Sequence, residues 1–216
     1  MTTPDGREKE LEDLPSLREA KRQLTRDRLI AAATMAFESK PYSNVTVDDI
    51  SRRAGISRAT FYIYYPSKVK VLQDCLADYE TGLGELWDDF SKIEKKTVGA
   101  LEGWLVAYIK LYEKHKLLLG TLHQAEAVEP ELLDNVVSTV KDTITRWQQL
   151  GVVSADIQPG DELELDVLLF TAQIQRFLYL WIIQGIEVNR DDAIRKLAEQ
   201  WYGIIASAQS SASHRR

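Results

Sequence analysis

The sequence is poor in the residues from which disulfides, metal sites and catalytic centres are built. One cysteine, Cys75, stands among 216 residues, which excludes an internal disulfide and fits a reducing, cytoplasmic location. The three histidines have no cysteine or carboxylate partner at metal-ligand spacing. No glycine-rich phosphate loop, Ser/His/Asp set or paired-carboxylate pattern is present. We therefore expect no metal, no cofactor and no catalytic residues, and we predict that the chain is not an enzyme.

Long apolar runs are also missing from the sequence. The longest candidate, FLYLWII, is much shorter than the roughly 18 apolar residues that a membrane-spanning helix requires. The N-terminal residues are polar and charged, unlike those of a signal peptide. We therefore expect no membrane partner.

Charge is distributed unevenly along the chain. The net charge is −6, but the range 18–70 holds 11 lysines and arginines against 5 acidic residues, a net charge of +6. The range 71–216 has a net charge of −9. A basic region can neutralise phosphates, while an acidic body repels them and so determines which face meets a nucleic acid.

Helical periodicity runs through almost the whole chain. Apolar residues recur at helical spacing in about nine segments, and no segment is typical of a strand. The range 1–17 is charged and contains two prolines, which predicts a disordered tail. Thr25 is the predicted N-cap of the first helix. We predict an all-α chain with a first domain at 18–70 and a second at 71–216.

The segment that begins at Thr46 predicts two short helices joined by a tight turn. Thr46 and Asp49 have the spacing of a capping box. Gly55 is placed to end the first helix in the left-handed conformation, and Ser57 to cap the second helix immediately afterwards. This is the build of a helix-turn-helix, whose second helix enters the major groove of DNA. The alternative is an ordinary helical hairpin within a bundle.

The second of these two helices carries aromatic rings on more than one face. Phe61 and Tyr65, four residues apart, are predicted to face inward and to fix this helix to its neighbours. Tyr62 and Tyr64 are predicted to face outward, where a tyrosine hydroxyl can bind a phosphate. The start of the helix meets base edges, and the next helix starts at a lysine suited to a phosphate. The DNA contacts predicted in this way are Ser57, Arg58, Ala59, Thr60, Tyr62, Tyr64 and Lys68.

The stretch TRDRLIAAATMAFESKPYSNVTVDDISRRAGISRATFYIYYPSKVKVLQDCL resembles the DNA-binding domain of the TetR (tetracycline repressor-type) family of transcriptional regulators. The threonine-led first helix, the TVDDIS…AGIS turn and the TFYxYY-SK ending occur in order and at the right spacing. The resemblance implies a three-helix helix-turn-helix DNA-binding domain followed by a six-helix ligand-binding and dimerisation bundle. It also implies DNA contacts at the seven residues named above and at Thr46. The sequence departs from the commonest pattern at Tyr65, where Phe is usual, and at Ile63, where a polar or aromatic residue is frequent.

Two stripes in the second domain mix aromatic and polar side chains. One follows a helix at a spacing of 4, 3 and 4 residues, and the other lies on the most apolar helix of the chain. Polar groups within aromatic walls favour a small-molecule pocket, although core packing is the alternative for every one of these residues. The predicted ligand-binding residues are Trp104, Tyr108, Leu111, His115, Phe170, Gln173 and Phe177.

The last two helices contain FLYLWII and WYGII, which is more apolar surface than one monomer can bury. Two antiparallel helices from each subunit would form a four-helix interface around a two-fold axis. We therefore expect a homodimer.

The predicted function is a ligand-responsive transcriptional repressor. It would bind a palindromic double-stranded DNA operator and release it when a small hydrophobic or aromatic molecule binds the C-terminal domain. One alternative is a DNA-binding regulator or activator that has no ligand. The other is an all-helical small-molecule carrier or enzyme that does not bind DNA, and salt-dependent DNA binding would separate it from the rest.

Overall fold

The part of the chain that the structure describes is built from α-helices. The computed structural model describes residues 16–149 and 162–214, which contain ten α-helices and no strand, so the all-α prediction is confirmed. The chain divides into two compact units, Met1–Cys75 and Leu76–Arg216. Of the predicted tail, residues 1–15 lie outside the described residues, and Leu17 already belongs to the first helix.

From residue 16 onward, the first unit contains four helices around one apolar core. They are α1 (Leu17–Ser39), α2 (Val47–Ala54), α3 (Arg58–Tyr64) and α4 (Lys68–Cys75), with a 3₁₀ turn at Tyr42–Asn44. Helix α1 packs on α2 and α4, and α3 packs on α2. The core is made of the residues that the 3.6-residue period places on facing sides, including Leu29, Ala33, Phe37, Ile50, Phe61, Val69 and Leu72.

The start of α1 differs from the prediction. Ser16 is the N-cap, and it forms a capping box with Glu19: the Ser16 amide donates to the Glu19 carboxylate at 2.8 Å, and the Glu19 amide donates to the Ser16 hydroxyl at 3.3 Å. Thr25 lies inside the helix, where its hydroxyl donates to the Lys21 carbonyl at 2.9 Å. The prediction of Thr25 as N-cap was therefore wrong, because the first turns of α1 are exposed and show no apolar periodicity.

Six helices lie in the described residues of the second unit, 76–149 and 162–214. They are α5 (Ala77–Ser91), α6 (Val98–Lys114), α7 (Lys116–Glu126), α8 (Leu133–Gln149), α9 (Glu162–Leu178) and α10 (Arg190–His214). A 3₁₀ turn at Pro130–Leu132 precedes α8, and a π-helical turn at Tyr179–Ile183 continues α9. Helix α6 packs against α5 and α10, and α9 packs against α8 and α10. The sequence predicted one helix from Lys68 to beyond Leu76, but the structure separates α4 from α5 at Leu76, and the predicted domain boundary at Lys70 falls inside α4.

Helix α9 exposes an unusual amount of apolar surface. Together with the π-helical turn it forms the stretch Glu162–Ile183, which by length and composition alone could cross a membrane. Only 17% of its apolar window is buried inside the chain. Leu165, Leu168 and Leu169 are exposed on this helix. Its first turn contains Glu162 and Glu164. Because carboxylates are costly inside a membrane, this stretch is better described as a helix with one apolar face than as a membrane span.

Candidate nucleic-acid interface and aromatic site

The turn between α2 and α3 depends on a glycine and on an arginine from α1. Gly55 ends α2 with φ +68°, the left-handed conformation predicted for it. A Cβ atom at this position would lie 2.8 Å from Nη2 of Arg28. That nitrogen donates to the Ala54 carbonyl at 2.6 Å, where a cation also suits the C-terminal end of the helix dipole. Sequence reasoning missed Arg28, because nothing in the local pattern indicates a contact between residues 26 positions apart.

Two hydroxyl side chains hold the starts of the helices. The Thr46 hydroxyl accepts from the Asp49 amide at 3.1 Å and the Asp49 carboxylate accepts from the Thr46 amide at 3.0 Å, so the predicted capping box is confirmed. The Lys40 ammonium, 2.7 Å from the same carboxylate, is the main cause of an Asp49 pKa well below its usual value. At the start of α3, the Ser57 hydroxyl accepts from the Thr60 amide at 3.0 Å and lies 2.8 Å from the Thr60 hydroxyl. Thr46, Ser57 and Thr60, which are predicted to contact DNA, therefore also take part in capping α2 and α3.

The rings of α3 divide between the core and the outer surface. Phe61 and Tyr65 are buried, as their spacing predicts, whereas Tyr62 is 46% exposed and Tyr64 is partly exposed. Ala59 is exposed as well, and Ile63, one turn further along, is 75% exposed. The outer surface of α3 thus combines two tyrosine rings with a short apolar strip.

The hydroxyl of Tyr65 reaches the edge of the core. It donates to the Asp74 carboxylate at 2.6 Å, and Nη2 of Arg26 donates to the same oxygen at 2.6 Å. Burial raises the pKa of Tyr65, and the neighbouring Asp74 carboxylate raises it further. With Tyr instead of Phe at position 65, the end of α3 forms a hydrogen bond to Asp74 on α4. The same Asp74 oxygen also binds Arg26 on α1, so the three helices are joined at this carboxylate.

Arg58 lies at the first position of α3 and remains on the surface. Its guanidinium donates to the Tyr62 hydroxyl at 3.3 Å, lies 5.7 Å from the centre of the Tyr62 ring, and is 3.5 Å from the Asp48 carboxylate. The bond to Tyr62 is the main cause of a raised Arg58 pKa, so this side chain remains a cation. Exposed pairs of this kind contribute little to stability, and they can be exchanged for a ligand at small cost.

Lys68 is used inside the first unit. Its ammonium donates to the carbonyls of Tyr42 at 3.1 Å and Val45 at 3.3 Å, and it lies 3.9 Å from the centre of the Tyr42 ring. These contacts fix the segment before α2 to the start of α4. The predicted phosphate contact of Lys68 stays a prediction, and the geometry adds a positioning role that the sequence did not indicate.

In the second unit, aromatic rings from five helices form one group. Trp201 on α10 lies within 4.9–6.1 Å, centre to centre, of five other rings. The closest are Trp104 at 4.9 Å and Phe90 at 5.1 Å, the latter stacked at an interplanar angle of 6°. We call this group the aromatic cluster, and its members are Trp87, Phe90, Trp104, Trp147, Phe170 and Trp201.

The structure separates the residues that the sequence predicted as ligand contacts. Trp104 and Phe170 belong to the aromatic cluster, and Tyr108 stacks on Trp104 at 5.3 Å. By contrast, Gln173 is exposed and donates to Gln200 at 2.7 Å. Phe177 packs against Trp181 with the ring centres 5.6 Å apart.

The remaining two predicted residues lie at the far end of α6. The His115 ring meets Tyr79 edge-on at 5.8 Å, and Tyr79 donates to the Tyr108 hydroxyl at 3.4 Å. Burial lowers the pKa of His115, whose Nε2 is buried and has no hydrogen-bond partner among the described residues. Leu111 packs against Gly82, where a Cβ atom would come within 2.8 Å of its methyl group. Trp201 was not predicted as a site residue, because a tryptophan on an amphipathic helix is indistinguishable in the sequence from core packing.

Comparison with known proteins agrees with this architecture. A family described as bacterial regulatory proteins, tetR family, matches residues 29–75. The HTH-type transcriptional regulator EthR of Mycobacterium tuberculosis is 48% identical over 44 residues, which are 20% of this chain and 20% of EthR. The chain therefore matches only about a fifth of the length of that relative.

Two further proteins resemble a larger part of the chain. The HTH-type transcriptional repressor DhaR of a Mycobacterium species is 25% identical over 146 residues, 62% of this chain and 72% of DhaR. The crystal structure of a tetR-family transcriptional regulator from Streptomyces coelicolor has a TM-score of 0.58 at 21% identity, over 88% of this chain and 83% of that chain, which shows a shared fold. Residues 29–75 thus match the tetR family of bacterial regulatory proteins in sequence, and the larger part of the chain shares the fold of a solved tetR-family regulator.

Proposed function

We propose that the protein is a homodimeric, cytoplasmic transcriptional repressor that releases its DNA operator when a small hydrophobic molecule binds the second unit. The observation that carries this proposal is the outer surface of α3. Arg58, the two outward tyrosines and an exposed apolar strip lie together there, on a helix fixed from behind by Phe61 and Tyr65. The matched family and the names of the similar proteins support regulation of transcription.

Residues at the start of α3 are suited to reading base edges in the major groove. Arg58 can bind the two acceptors of a guanine, and the Thr60 hydroxyl can bind any base edge. Ala59 and the exposed Ile63 supply an apolar surface that matches the methyl group of a thymine. Base sequence is thus read by Arg58, Ala59, Thr60 and Ile63, with Ser57 at the edge of the group.

Residues around this helix are suited to phosphate and sugar contacts. The hydroxyls of Tyr62 and Tyr64 can donate to phosphates, and Thr46 lies at the N-terminal end of α2, where amide groups favour an anion. Such contacts position the first unit on the duplex and carry no sequence information. The net charge of +6 over the range 18–70 supplies the attraction.

Dimerisation is assigned to α9 and α10. Leu165, Leu168 and Leu169 on α9 and Tyr202 on α10 are large exposed apolar side chains, and the two helices pack on each other. A Cβ atom at Gly203 on α10 would meet nothing within 4 Å, which leaves room for a second copy to approach. Two first units held by such an interface would meet successive major grooves if they are roughly 34–36 Å apart.

Ligand control is assigned to the second unit. Its aromatic cluster has the apolar walls typical of a small-molecule site. A ligand can release DNA only if it binds the released conformation more tightly than the DNA-bound one. The name of DhaR, a repressor, supports the sign of regulation proposed here.

The test of DNA binding starts from a random pool of duplexes, so the operator sequence need not be specified in advance. Duplexes retained by the protein are selected from this pool, and the enriched sequence is titrated between about 50 and 200 mM salt. We expect a palindromic sequence and an affinity that falls by roughly a thousandfold or more over that range, because phosphate neutralisation releases counterions. A pool that is not enriched, or an affinity that does not depend on salt, would contradict the proposal and favour a carrier or enzyme without DNA binding.

A further inference from the structure

Two indole N–H groups in the aromatic cluster are buried without an acceptor among the described residues. Trp147 is 2% exposed and Trp201 is 1% exposed, and Nε1 of each has no hydrogen-bond partner there. Their rings are near-parallel, with an interplanar angle of 23° and centres 6.1 Å apart. Both unpaired donors therefore lie in one region of the second unit.

Unpaired buried donors are uncommon, because a donor removed from water without a partner destabilises the fold. The same cluster shows the ordinary solution at Trp104, whose Nε1 donates to the Leu86 carbonyl at 2.8 Å. At Trp147 and Trp201 the described part of the chain does not provide such an acceptor. A bound molecule that carries an acceptor would supply a hydrogen-bond partner for both N–H groups.

The surroundings restrict the charge of that molecule. Among the described residues of the second unit, leaving aside 133–140 and 208–214, the buried hydroxyl groups belong to Tyr108, Tyr112 and Thr121, and each has a hydrogen-bond partner. Within the same residues, no carboxylate, lysine or arginine side chain is buried. The Lys96 ammonium lies 4.9 Å from the centre of the Phe90 ring, but it is partly exposed and donates to the Ile93 carbonyl. A cation among these rings would remain unpaired and an anion would have to draw Lys96 away from Ile93, so a neutral ligand is favoured.

We propose that the aromatic cluster binds a neutral, flat, apolar molecule bearing a carbonyl oxygen, and that this oxygen accepts hydrogen bonds from the indoles of Trp147 and Trp201. The inference rests on the proposed ligand control and gives the chemical class of the ligand. Apolar rings supply the contact area, and the two donors select molecules that carry an acceptor. A hydrocarbon of the same shape leaves both donors unpaired and is discriminated against for that reason.

The test compares three probes that share one skeleton. Propiophenone carries a carbonyl, propylbenzene lacks it, and 1-phenylpropan-1-amine carries a cation at neutral pH. Their dissociation constants are measured calorimetrically on the full chain. We expect propiophenone to bind about tenfold more tightly than propylbenzene, the effect of one well-made buried hydrogen bond, and the amine to bind most weakly.

Matched variants identify the donors. Trp201→Phe and Trp147→Phe each keep an aromatic ring and remove one N–H, so the preference for the ketone should fall to about threefold or less in each. Trp104→Phe also alters the cluster, but it removes an N–H that is already bound by Leu86. It should therefore change the affinities of ketone and hydrocarbon alike, and the tenfold ratio between them should persist. Equal affinity for ketone and hydrocarbon, stronger binding of the amine, no binding of any probe, or loss of the preference in Trp104→Phe alone would overturn the proposal.

A measurement without ligand keeps the test valid if a variant is unstable. Trp147→Phe and Trp201→Phe remove an unpaired donor, whereas Trp104→Phe removes the donor that the Leu86 carbonyl accepts from. The melting temperature should therefore fall less in the first two variants than in the third, and the reverse order would contradict the assignment of unpaired donors. DNA binding is assayed separately, so a failed operator selection with an intact ketone preference would reject the regulator and not the ligand site.

Discussion

The two units of the chain differ in the sequence distance over which their key contacts form. In the first unit, the caps of α2 and α3 join residues three positions apart, and one glycine makes the turn between them. In the second unit, the aromatic cluster collects rings from α5, α6, α8, α9 and α10. A helix-turn-helix can thus be specified by short patterns, whereas an aromatic cluster of this kind exists only after five helices have packed.

The units also differ in how fully their polar and apolar side chains are partnered within the described chain. On the outer surface of α3, the polar side chains have partners that can be exchanged for DNA, as Arg58 has in Tyr62 and Asp48. Among its described residues, the second unit instead has unpaired nitrogens at Trp147, Trp201 and His115, together with an uncovered apolar face on α9. Three proposed partners follow from this contrast: DNA for the first unit, and a ligand and a second copy for the second.

The largest effect is expected from a change in the second unit that prevents dimerisation and thereby weakens DNA binding by the first unit. Leu165→Glu should place a charge on the exposed face of α9 and yield monomers, because burial of an unpaired carboxylate opposes association. Operator affinity should fall by about a hundredfold or more, since one reading unit loses the advantage of being tethered to another. Light scattering gives the mass, and a titration of the operator gives the affinity.

Leu117→Glu is the matched control for that change. Leu117 and Leu165 are both 54% exposed, but Leu117 lies on α7. It should stay dimeric with unchanged operator affinity. A dimeric Leu165→Glu protein, or the same loss in both variants, would show that α9 is not the interface.

A smaller effect, on stability, is expected when Lys68 in the first unit is replaced. Lys68→Ala removes two hydrogen bonds to carbonyls of the segment before α2, so we expect stability to fall by about 1.5 kcal/mol. Thermal unfolding measures this change. Lys70→Ala is the control. It removes one positive charge from an exposed side chain, two residues after Lys68, and should leave the melting temperature nearly unchanged.

The salt dependence of operator binding decides between positioning and phosphate contact at Lys68. If Lys68 positions the fold, the slope of affinity against salt should be the same in Lys68→Ala and Lys70→Ala. A slope smaller by about one in Lys68→Ala alone would establish the phosphate contact that the sequence predicted.

Local signals explain which parts of the molecule could be predicted from the sequence. The capping box at Thr46, the left-handed Gly55 and the buried pair Phe61 and Tyr65 each depend on residues within a few positions, and all are found as predicted. The start of α1 was misplaced because its first turns carry no apolar period, although Ser16 and Glu19 have capping-box spacing.

Contacts between distant residues explain what could not be predicted. Arg28 at the Ala54 carbonyl and Lys68 at the Tyr42 carbonyl depend on how α1, α2 and α4 pack. The same holds for Trp147 and Trp201, whose periodicity indicates burial but does not indicate whether an acceptor is near. A stripe of residues at helical spacing also does not indicate whether that face of the helix lies toward the interior or toward solvent. Gln173 was predicted to line a pocket, and in the structure it is exposed and donates to Gln200.

The smallest expected effect tests whether the exposed strip of α3 reads a base. Ile63 is 75% exposed on a short helix whose Phe61 is fully buried, so we expect its methyl groups to meet one thymine methyl in each operator half-site. Replacing that thymine by uracil should weaken binding about fourfold, the effect of about 0.8 kcal/mol for one buried methyl group. In Ile63→Ala the same replacement should have almost no effect, while in Tyr62→Phe, which changes a phosphate contact, the fourfold loss should remain. The thymines are replaced one at a time, and the coupling is obtained from the resulting double-mutant cycle. If no thymine is coupled to Ile63, the apolar strip takes no part in sequence recognition, and Arg58 and Thr60 must carry it alone.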